Sequence, residues 1–440
     1  MTRDSRYPLH ADVDVLVVGA GSAGCCAAIA AARAGGSVLL LERHGFLGGT
    51  STSVLDTFYG FYTPGEIRRK VVAGIGDDVV AELRRLGPVL ERPNSFGAGT
   101  GVTYHPDHLK VAWERLVTGA GVKVLLHSSL QDASLADGRL DEVLIATKAG
   151  LRRVRARCVV DASGDADVCH FAGIRHEVAG ELDPAQTLTT TFRMGNVDMA
   201  RRRGVTKAEV NALMAAAADS GGYDLPRREG SDHVTPVDGV TATIMTRLAS
   251  TRQVDGRVVN AADPEFLTEA EIQGREQALE YVRFLIDQVP GYEQAQLLSF
   301  STQIGVRETR RVYGDYRLTR DDVLSARQFD DQIALCGAPI EDHHAGADTA
   351  WRYLPAGECV GVPYRTLLAR DAENVLVAGR CFSATHDAHA AVRSMAQCMA
   401  MGQAAGTAAA RAADTAGGAV RDVDVDRLRA DLRHAGAITD

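Results

Sequence analysis

The chain has 440 residues, 45% hydrophobic and 24% charged, a composition typical of a globular protein with one large or two moderate domains. Its 57 acidic residues against 48 basic ones give a formal net charge of −9, which argues against binding nucleic acid or anionic lipid. The eight cysteines form neither a C-x-x-C pair nor a zinc-ligand spacing, so we predict reduced, buried thiols in a cytoplasmic protein.

The first predicted element is a buried strand over residues 12–18. Asp12 and Asp14 interrupt the stretch where the hydrophobic region of a signal peptide would begin, so no signal peptide is predicted. The uncharged run from Val15 to Ala32 is long enough to span a membrane. Its central glycines instead indicate a strand that turns into a helix, so we predict no membrane segment.

Gly19, Gly21 and Gly24 form G-x-G-x-x-G at that turn. The first glycine permits the tight turn, the second lets the backbone approach a pyrophosphate, and the third lets the helix pack against the strand. Gly35 ends the helix, and "SVLLLE" forms a second parallel strand ending at Glu42, where a carboxylate can accept ribose hydroxyls. The pattern predicts a dinucleotide site, with a packing turn in an unrelated α/β domain as the alternative.

Two further loops exclude related classes of protein. Residues 51–53 are Ser-Thr-Ser, where a dithiol reductase would carry its first cysteine, so that class is excluded. The "GAGTG" segment at 97–101 follows Pro93 and Asn94 rather than a strand, so we predict a loop and no second unit for NAD(P)H.

The remaining chain alternates strand and helix patterns. A helix over 107–120 precedes a strand pair in "VKVLLHSSLQDASL". Strand-like "QTLTTTFRMG" and "GVTATIMTRL" alternate with helices over 206–219 and 263–288, which indicates a sheet with covering helices. A polar loop is predicted over 219–233, and a linker with a short surface helix over 411–440.

The motif order resembles the FAD-dependent oxidoreductase family, in the glutathione-reductase-like superfamily. The resemblance rests on the opening unit and on "ERHGFLGGTSTS" (42–53), "RARCVVDASGDADV" (155–168), "IGVRETRRVYGDYRLT" (304–319) and the segment 361–410. It implies an α/β fold, with a discontinuous Rossmann-type FAD-binding domain at 1–174 and 340–440. A mixed-sheet substrate or cap domain would be inserted at 175–339.

The resemblance also implies which residues contact FAD. After a last strand ending at Gly379, a helix would aim its N-terminus at the flavin pyrimidine, where a reduced flavin carries negative charge. Arg380 would either favour that anion or pair with a phosphate or carboxylate. The implied contacts are Gly19, Gly21, Ser22, Ala23, Gly24, Glu42, Arg43, Gly48, Gly49, Thr50, the backbone of Leu130 at the adenine, Ala162, Ser163, Gly164, Gly379, Arg380, Ser394 and Met395.

Oxidation of a C–H bond by a flavin requires a base for the accompanying proton. His386 and His389 lie between the last strand and the flavin-facing helix, so both are predicted near the ring, with structural hydrogen bonds as the alternative. No metal is predicted, because the His-Asp-x-His segment indicates a turn without a third ligand cluster.

In superfamily relatives that act on carboxylic acids, arginines clamp the carboxylate, which makes Arg307 a candidate. An interdomain salt bridge is its alternative role. Weaker candidates are His343, His344 and Trp351 for the rim of the pocket, and Tyr59, Phe61 and Tyr62 for an aromatic wall or for core packing.

The predicted function is transfer of a hydride between a small organic substrate and flavin N5. The alternatives are a flavin-dependent monooxygenase, an FAD-binding electron-transfer subunit, and a flavoprotein acting on RNA within a complex. Gly379-Arg380 stands where aromatic hydroxylases usually have Gly-Asp, and the acidic charge argues against RNA. The chain lacks iron–sulfur cysteine clusters, so electron relay would need a partner. A homo-oligomer is compatible with the sequence.

Overall fold

A computed structural model describes residues 6–343, 349–415 and 417–440. Its central sheet has parallel strands on one side and an antiparallel extension on the other. Across the sheet the strands run Lys123–Leu125, Val38–Leu41, Leu9–Val18, Gly150–Asp161, Glu142–Thr147 and Ser129–Ala133, and Val375–Val377 also pairs in parallel with Gly150–Asp161. Residues 15–18 and 38–41 are fully buried, as expected for parallel strands covered on both faces.

Two helices of small residues pack directly against each other beside this sheet. They are Ser22–Arg33, which follows the glycine turn, and Met395–Ala413 near the C-terminus. A Cβ on Gly402 would lie 2.1 Å from the carbonyl oxygen of Ala23, and one on Gly406 would lie 2.0 Å from that of Ala27. The small residues therefore allow the two helix backbones to touch.

A second sheet lies in the middle of the chain. It is antiparallel and runs Ser231–Val234, Thr241–Ile244, Phe192–Gly195 and Gln296–Phe300. Helices Lys207–Asp219 and Pro264–Gln288 bury side chains with it in a separate core that includes Met214 and Phe284. The predicted sheet with covering helices is confirmed, while the predicted loop over 219–233 ends in a strand at Ser231.

The remaining helices are mostly short. They are Thr50–Ser53, Ile75–Leu86, Pro106–Gly119, Asp167–Phe171, Met199–Arg203, Arg320–Leu324, His386–Val392 and Val425–His434, with 3₁₀ turns at Tyr364–Thr366 and Val420–Asp422. The predicted helix over 107–120 is confirmed. The predicted turn at His386 is wrong, because these residues begin a helix.

Small sheets complete the architecture. They pair His176–Val178 with Arg310–Val312, Thr251–Val254 with Arg257–Asn260, Gln332–Cys336 with Val360–Pro363, Ile340–Asp342 with Ala350–Arg352, and Val102–Thr103 with both Thr57–Phe58 and Leu90–Glu91.

The central sheet and the second sheet have separate hydrophobic cores, which bear on where the domains divide. Val312, Leu318 and Ile333 belong to the main core around the central sheet, not to the core of the second sheet. This packing favours a boundary earlier than the predicted residue 339. The division at 1–174, 175–339 and 340–440 stays a prediction.

The cysteines, the segment 97–101 and the long helices were each given a prediction from the sequence. All eight cysteines are buried and free of disulfides. Residues 97–101 contain neither helix nor strand, as predicted for a loop. Among the helices of the described ranges, none is long and apolar enough to cross a membrane.

Candidate functional site

A cavity of about 930 Å³ opens where the parallel strands of the central sheet end. Gly19, Glu42, Ala162 and Gly379 each follow one of these strands, and all four line the cavity. The carboxyl edge of such a sheet is where ligands bind in open α/β folds. The second sheet contributes the opposite part of the lining, through residues 231–233 and Ile244.

The glycines of the first turn are required by close backbone contacts. Gly19 has φ +91°, and a Cβ there would lie 2.5 Å from the carbonyl oxygen of Ala162. A Cβ on Gly24 would lie 1.7 Å from the oxygen of Gly19, and one on Gly49 would lie 2.8 Å from the Cα of Gly21. Three loops therefore meet backbone to backbone. Because the N-cap residue is Gly21, the amides at the start of helix Ser22–Arg33 have no side-chain cap. Such a helix end binds phosphate.

Glu42 is held at the end of its strand with little freedom. Its side chain is 6% exposed, Oε2 accepts a hydrogen bond from the Ala20 amide at 2.8 Å, and Oε1 accepts one from the His44 amide at 2.8 Å. The carboxylate also lines the cavity. Its oxygens retain lone pairs that can accept hydroxyl groups of a ribose.

Most of the predicted FAD contacts line this one cavity. They are Gly19, Gly21, Ser22, Ala23, Glu42, Arg43, Gly49, Thr50, Leu130, Ala162, Ser163, Gly164, Gly379, Arg380, Ser394 and Met395. Gly24 and Gly48 lie behind them: Gly24 packs against Gly19, and the Gly48 amide donates to the carbonyl of Ala20 at 2.7 Å. The two glycines shape the loops without lining the cavity.

Arg380 pairs with a carboxylate, one of its predicted alternatives. Its Nη2 donates to Asp165 Oδ1 at 3.0 Å, while the buried Nη1 has no hydrogen-bond partner in the described part of the chain. Burial opposes ionisation of Asp165, but the Arg380 guanidinium, the hydrogen bond from Thr309 and the charge of Arg43 together outweigh it and hold the pKa of that carboxyl below its usual range. Arg380 therefore keeps one buried donor that the described residues do not satisfy.

Two further arginines line the cavity and are held by one segment. Arg307 Nη1 donates to the carbonyl of Thr187 at 2.6 Å and to Thr189 Oγ1 at 2.8 Å. Arg393 Nη2 donates to Gln186 Oε1 at 2.8 Å. Burial, with the Arg393 charge nearby, lowers the pKa of Arg307 to about 9.

Neither guanidinium forms an ion pair with a carboxylate of residues 6–343, 349–415 or 417–440. The predicted interdomain salt bridge of Arg307 is therefore absent from the described residues. Glu341 attracts both groups from beyond ion-pair distance. Two guanidinium groups in a largely buried cavity, with no carboxylate in direct contact, favour an anionic ligand.

Next to them, His343 Nε2 lies 3.0 Å from Glu341 Oε1, and both residues line the cavity. Burial and the Arg307 guanidinium lower the pKa of His343 to about 3, so its imidazole is neutral at pH 7. Trp351 also lines the cavity, as predicted, whereas His344 lies outside the described residues.

The structure corrects the predicted placement of His386 and His389, neither of which lines the cavity. His386 Nδ1 lies 2.9 Å from Glu308 Oε1, and Nε2 lies 3.3 Å from Asp342 Oδ1. Burial opposes protonation, yet the two carboxylates raise the pKa of His386 to about 10. A group that keeps its proton at pH 7 is a poor general base.

His389 is fully buried, and its Nε2 lies 2.8 Å from the carbonyl oxygen of Arg380. Burial lowers the pKa of this imidazole. Both histidines therefore act within the packed interior, and the alternative of structural hydrogen bonding fits them better.

Asp342, His386 and Asp387 bring three possible metal-ligand atoms within 4.8 Å of one another. The imidazole nitrogens of His386 already face carboxylates, and Asp387 lies 3.4 Å from Arg352 and 3.7 Å from Arg320. Cationic side chains thus already balance these carboxylates, and we assign no metal to the group.

The aromatic cluster splits between two roles. Tyr59 lines the cavity, and its hydroxyl accepts from Arg92 Nη1 at 2.8 Å. Phe61 is buried in the main core, and the Tyr62 ring stacks under the guanidinium of Arg68. Of these three aromatic residues, only Tyr59 lines the cavity and is suited to contact a ligand there.

Sequence reasoning missed His233, which lines the cavity from the second sheet. Its Nε2 lies 2.7 Å from Oδ1 of Asp56, a residue 177 positions earlier. No spacing in the sequence links two residues so far apart. Arg393 was also missed, although it is a lone charge between Asp387 and Arg411 in a stretch of small residues.

Comparison with known proteins identifies the family of this chain. A model described as FAD dependent oxidoreductase matches residues 14–432. Over 188 residues the chain is 31% identical to thiamine thiazole synthase of Methanococcus aeolicus, covering 40% of this chain and 64% of the synthase. Over 41 residues it is 61% identical to urocanate reductase of Eggerthella lenta, covering 9% of this chain and 7% of the reductase.

The chain thus matches less than two thirds of either curated relative. A geranylgeranyl bacteriochlorophyll reductase-like protein of Thermoplasma acidophilum has a similar fold, with a TM-score of 0.50, 14% identity, and coverage of 96% of this chain and 83% of that one.

Proposed function

This chain belongs to the FAD-dependent oxidoreductase family, and on that premise we propose that it transfers a hydride between a small organic substrate and bound FAD. The supporting observation is one continuous cavity. Its lining joins the phosphate-binding turn at Gly19 and Gly21 to polar side chains near the second sheet, including Arg307. A cofactor and a substrate can therefore lie side by side in it.

The residues present fit FAD. The uncapped start of helix Ser22–Arg33 would receive the diphosphate, Glu42 the adenosine ribose, and the backbone near Leu130 the adenine. Ser394 and Met395, at the start of helix Met395–Ala413, would lie beside the flavin pyrimidine, with the unpartnered Nη1 of Arg380 as a further donor. FAD supplies a flavin ring that exchanges a hydride with a substrate.

The substrate that fits the other half of the cavity carries an anionic group. Arg307 is fixed by its hydrogen bonds to Thr187 and Thr189, so its remaining donors are pre-oriented toward a ligand. Charge-assisted hydrogen bonds from a preorganised guanidinium fix both the position and the orientation of a carboxylate. Arg307 would therefore bind and orient the substrate rather than move a proton.

Replacing Glu42 by alanine is expected to weaken FAD binding by about tenfold to a hundredfold, because it removes charge-assisted hydrogen bonds. The Kd of FAD, titrated into flavin-free protein, measures the effect. Glu229→Ala is the matched control, since it removes another carboxylate from the same cavity, one that pairs with Lys207. An equal Kd for Glu42→Ala and wild type would remove Glu42 from the cofactor site.

Replacing Arg307 by methionine is expected to lower kcat/KM about 10- to 100-fold for a carboxylate substrate, mainly through KM, because ground-state binding is lost. Lys207→Met removes the same charge from a more exposed position on the cavity and is expected to have little effect. Equal losses in both variants would indicate a general electrostatic effect and contradict direct binding by Arg307.

The function itself is tested by adding small organic acids, alcohols and amines to the holoprotein without oxygen and following the visible absorbance of the flavin. Bleaching by one class of substrate is the expected result. If no compound bleaches the flavin, and NAD(P)H instead drives substrate-stimulated oxygen uptake, the protein is a monooxygenase and the proposal is wrong.

A further inference from the structure

We propose that His233, oriented by Asp56, is the catalytic residue that exchanges the substrate proton accompanying hydride transfer. The inference rests on the proposed function and assigns a role that the family match leaves open. His233 lies on strand Ser231–Val234 of the second sheet, and Asp56 follows helix Thr50–Ser53 beside the central sheet. The pair therefore joins the two sides of the cavity.

Asp56 is almost completely buried, whereas His233 reaches the cavity. The Asp56 side chain is 3% exposed and the His233 side chain 9%, with 2.7 Å between Oδ1 and Nε2. His233 nevertheless lines the cavity. Its Nε2 is thus engaged with the carboxylate, and Nδ1 is the ring nitrogen that remains for a ligand.

The Asp56 carboxylate stays ionised despite its burial. Desolvation raises its pKa, but the charge that His233 carries once protonated, the hydrogen bond from His233 and the charges of Arg193 and Arg92 together lower it below the usual range. An ionised carboxylate accepts the hydrogen of Nε2, which fixes the tautomer with a basic Nδ1 and stabilises the imidazolium that forms when a proton arrives. Asp56 is therefore a positioning residue.

His233 also lies near the segment that follows the Gly48–Gly49 loop. Thr50, Val54 and Leu55 line the same cavity, and they belong to the segment that follows the Gly48–Gly49 loop. Val54 and Leu55 also border a smaller cavity together with His233 and Asp56. The imidazole is therefore close to the loop expected at the flavin edge, unlike His386.

Two arginines also act on Asp56, Arg193 at the limit of ion-pair distance and Arg92 from farther away. Arg193 Nε lies 4.0 Å from Asp56 Oδ2, and Arg92 donates to Tyr59, Thr57 and Thr103. Asp232, next to His233 on the strand, is paired with Arg202 and accepts from Tyr292. The titratable and charged groups around His233 are thus Asp56, Asp232, Tyr59, Arg92, Arg193 and Arg202.

In the oxidising direction the substrate loses one proton and one hydride. Nδ1 of His233 accepts a proton from an O–H or N–H group of the substrate, whose neighbouring carbon loses a hydride. The two electrons leave the substrate with that hydride, and FAD is their acceptor under the proposed function. The imidazolium then releases its proton to water. In the reducing direction the imidazolium donates the proton instead.

The test compares His233→Gln with wild type. Glutamine keeps an N–H donor for Asp56 but cannot take up the proton, so a purely structural role would survive this change. We expect normal FAD content and melting temperature, with anaerobic flavin reduction by the substrate slowed about 10²- to 10⁴-fold. His10→Gln, at an exposed position on the first strand, is the matched control and is expected to react at the wild-type rate.

Two further measurements separate catalysis from structure. Added imidazole is expected to restore part of the reduction rate in His233→Ala but not in Asp56→Asn, in which His233 is still present. In flavin-free protein, diethyl pyrocarbonate is expected to add one carbethoxy group at His233, detected by mass spectrometry. An unmodified His233, or the absence of imidazole rescue, would overturn the proposal.

Flavin bleaching in the wild-type protein distinguishes failure of the proposed hydride transfer from failure of the proposed role of His233. If the hydride-transfer function is wrong, no substrate bleaches the flavin of the wild-type protein. If only the role of His233 is wrong, the wild-type flavin is bleached and His233→Gln is reduced equally fast.

Discussion

Replacing His386 by asparagine is expected to lower the free energy of unfolding by about 3–5 kcal/mol, the usual cost of removing one member of a buried ion pair. His386 is 6% exposed and lies between Glu308 and Asp342. Without the imidazolium these carboxylates lose a buried counterion. The rate of flavin reduction in folded holoprotein is expected to stay unchanged, because His386 does not line the cavity.

The same ion pair predicts a dependence of stability on pH. The pKa of His386 is raised from 6.5 to about 10 in the folded protein, so its stabilising contribution is complete below pH 6.5 and is lost as the pH rises through 10. The free energy of unfolding of wild type should therefore fall more steeply than that of His386→Asn across this range.

Urea denaturation at several pH values, with His10→Asn as the control, measures both effects. A His386→Asn protein of wild-type stability whose flavin is reduced slowly would contradict this interpretation and restore the histidine as a catalytic candidate.

Replacing Gly406 by alanine is expected to destabilise the protein by more than about 3 kcal/mol, beyond the usual range for overpacking. The added Cβ would lie 2.0 Å from the carbonyl oxygen and 2.7 Å from the Cα of Ala27, and backbone atoms cannot move aside as a flexible side chain can. Helix Ser22–Arg33 would have to shift, and its first turn lines the cofactor cavity. FAD content should therefore fall together with stability.

Gly119→Ala provides the comparison, because a Cβ at that position has no atom within 4 Å. Thermal melting and flavin content of both variants, purified in parallel, give the measurement. If Gly406→Ala melts like Gly119→Ala and keeps its flavin, the close contact of the two helices is not needed for cofactor binding.

The part of the cavity that we propose holds FAD was predictable because its signals are local. The glycines of the first turn, Glu42 and Gly379 each stand directly after a strand, and parallel strands bring such positions to one edge. The strand–turn–helix order along the chain was therefore sufficient to place them together.

The part of the cavity that we propose holds the substrate was not predictable, because its contacts depend on how distant segments pack. Position in the chain placed His386 near the ring, but its burial against Glu308 and Asp342 directs it into the interior. The role that we propose for His233 depends on its contact with Asp56, which forms only when the second sheet packs beside the central one. Hydrophobic periodicity carries no information about such pairings.

The order of strands in the central sheet has a consequence for biosynthesis. Strand Gly150–Asp161 pairs with Leu9–Val18 on one side and with Val375–Val377 on the other. A nascent chain therefore cannot complete this sheet until the ribosome has made and released most of the polypeptide, and until then one edge of Gly150–Asp161 has no strand beside its C-terminal half. Such an open edge is a template for aggregation. We therefore expect cellular yields of the protein to depend on chaperones during translation.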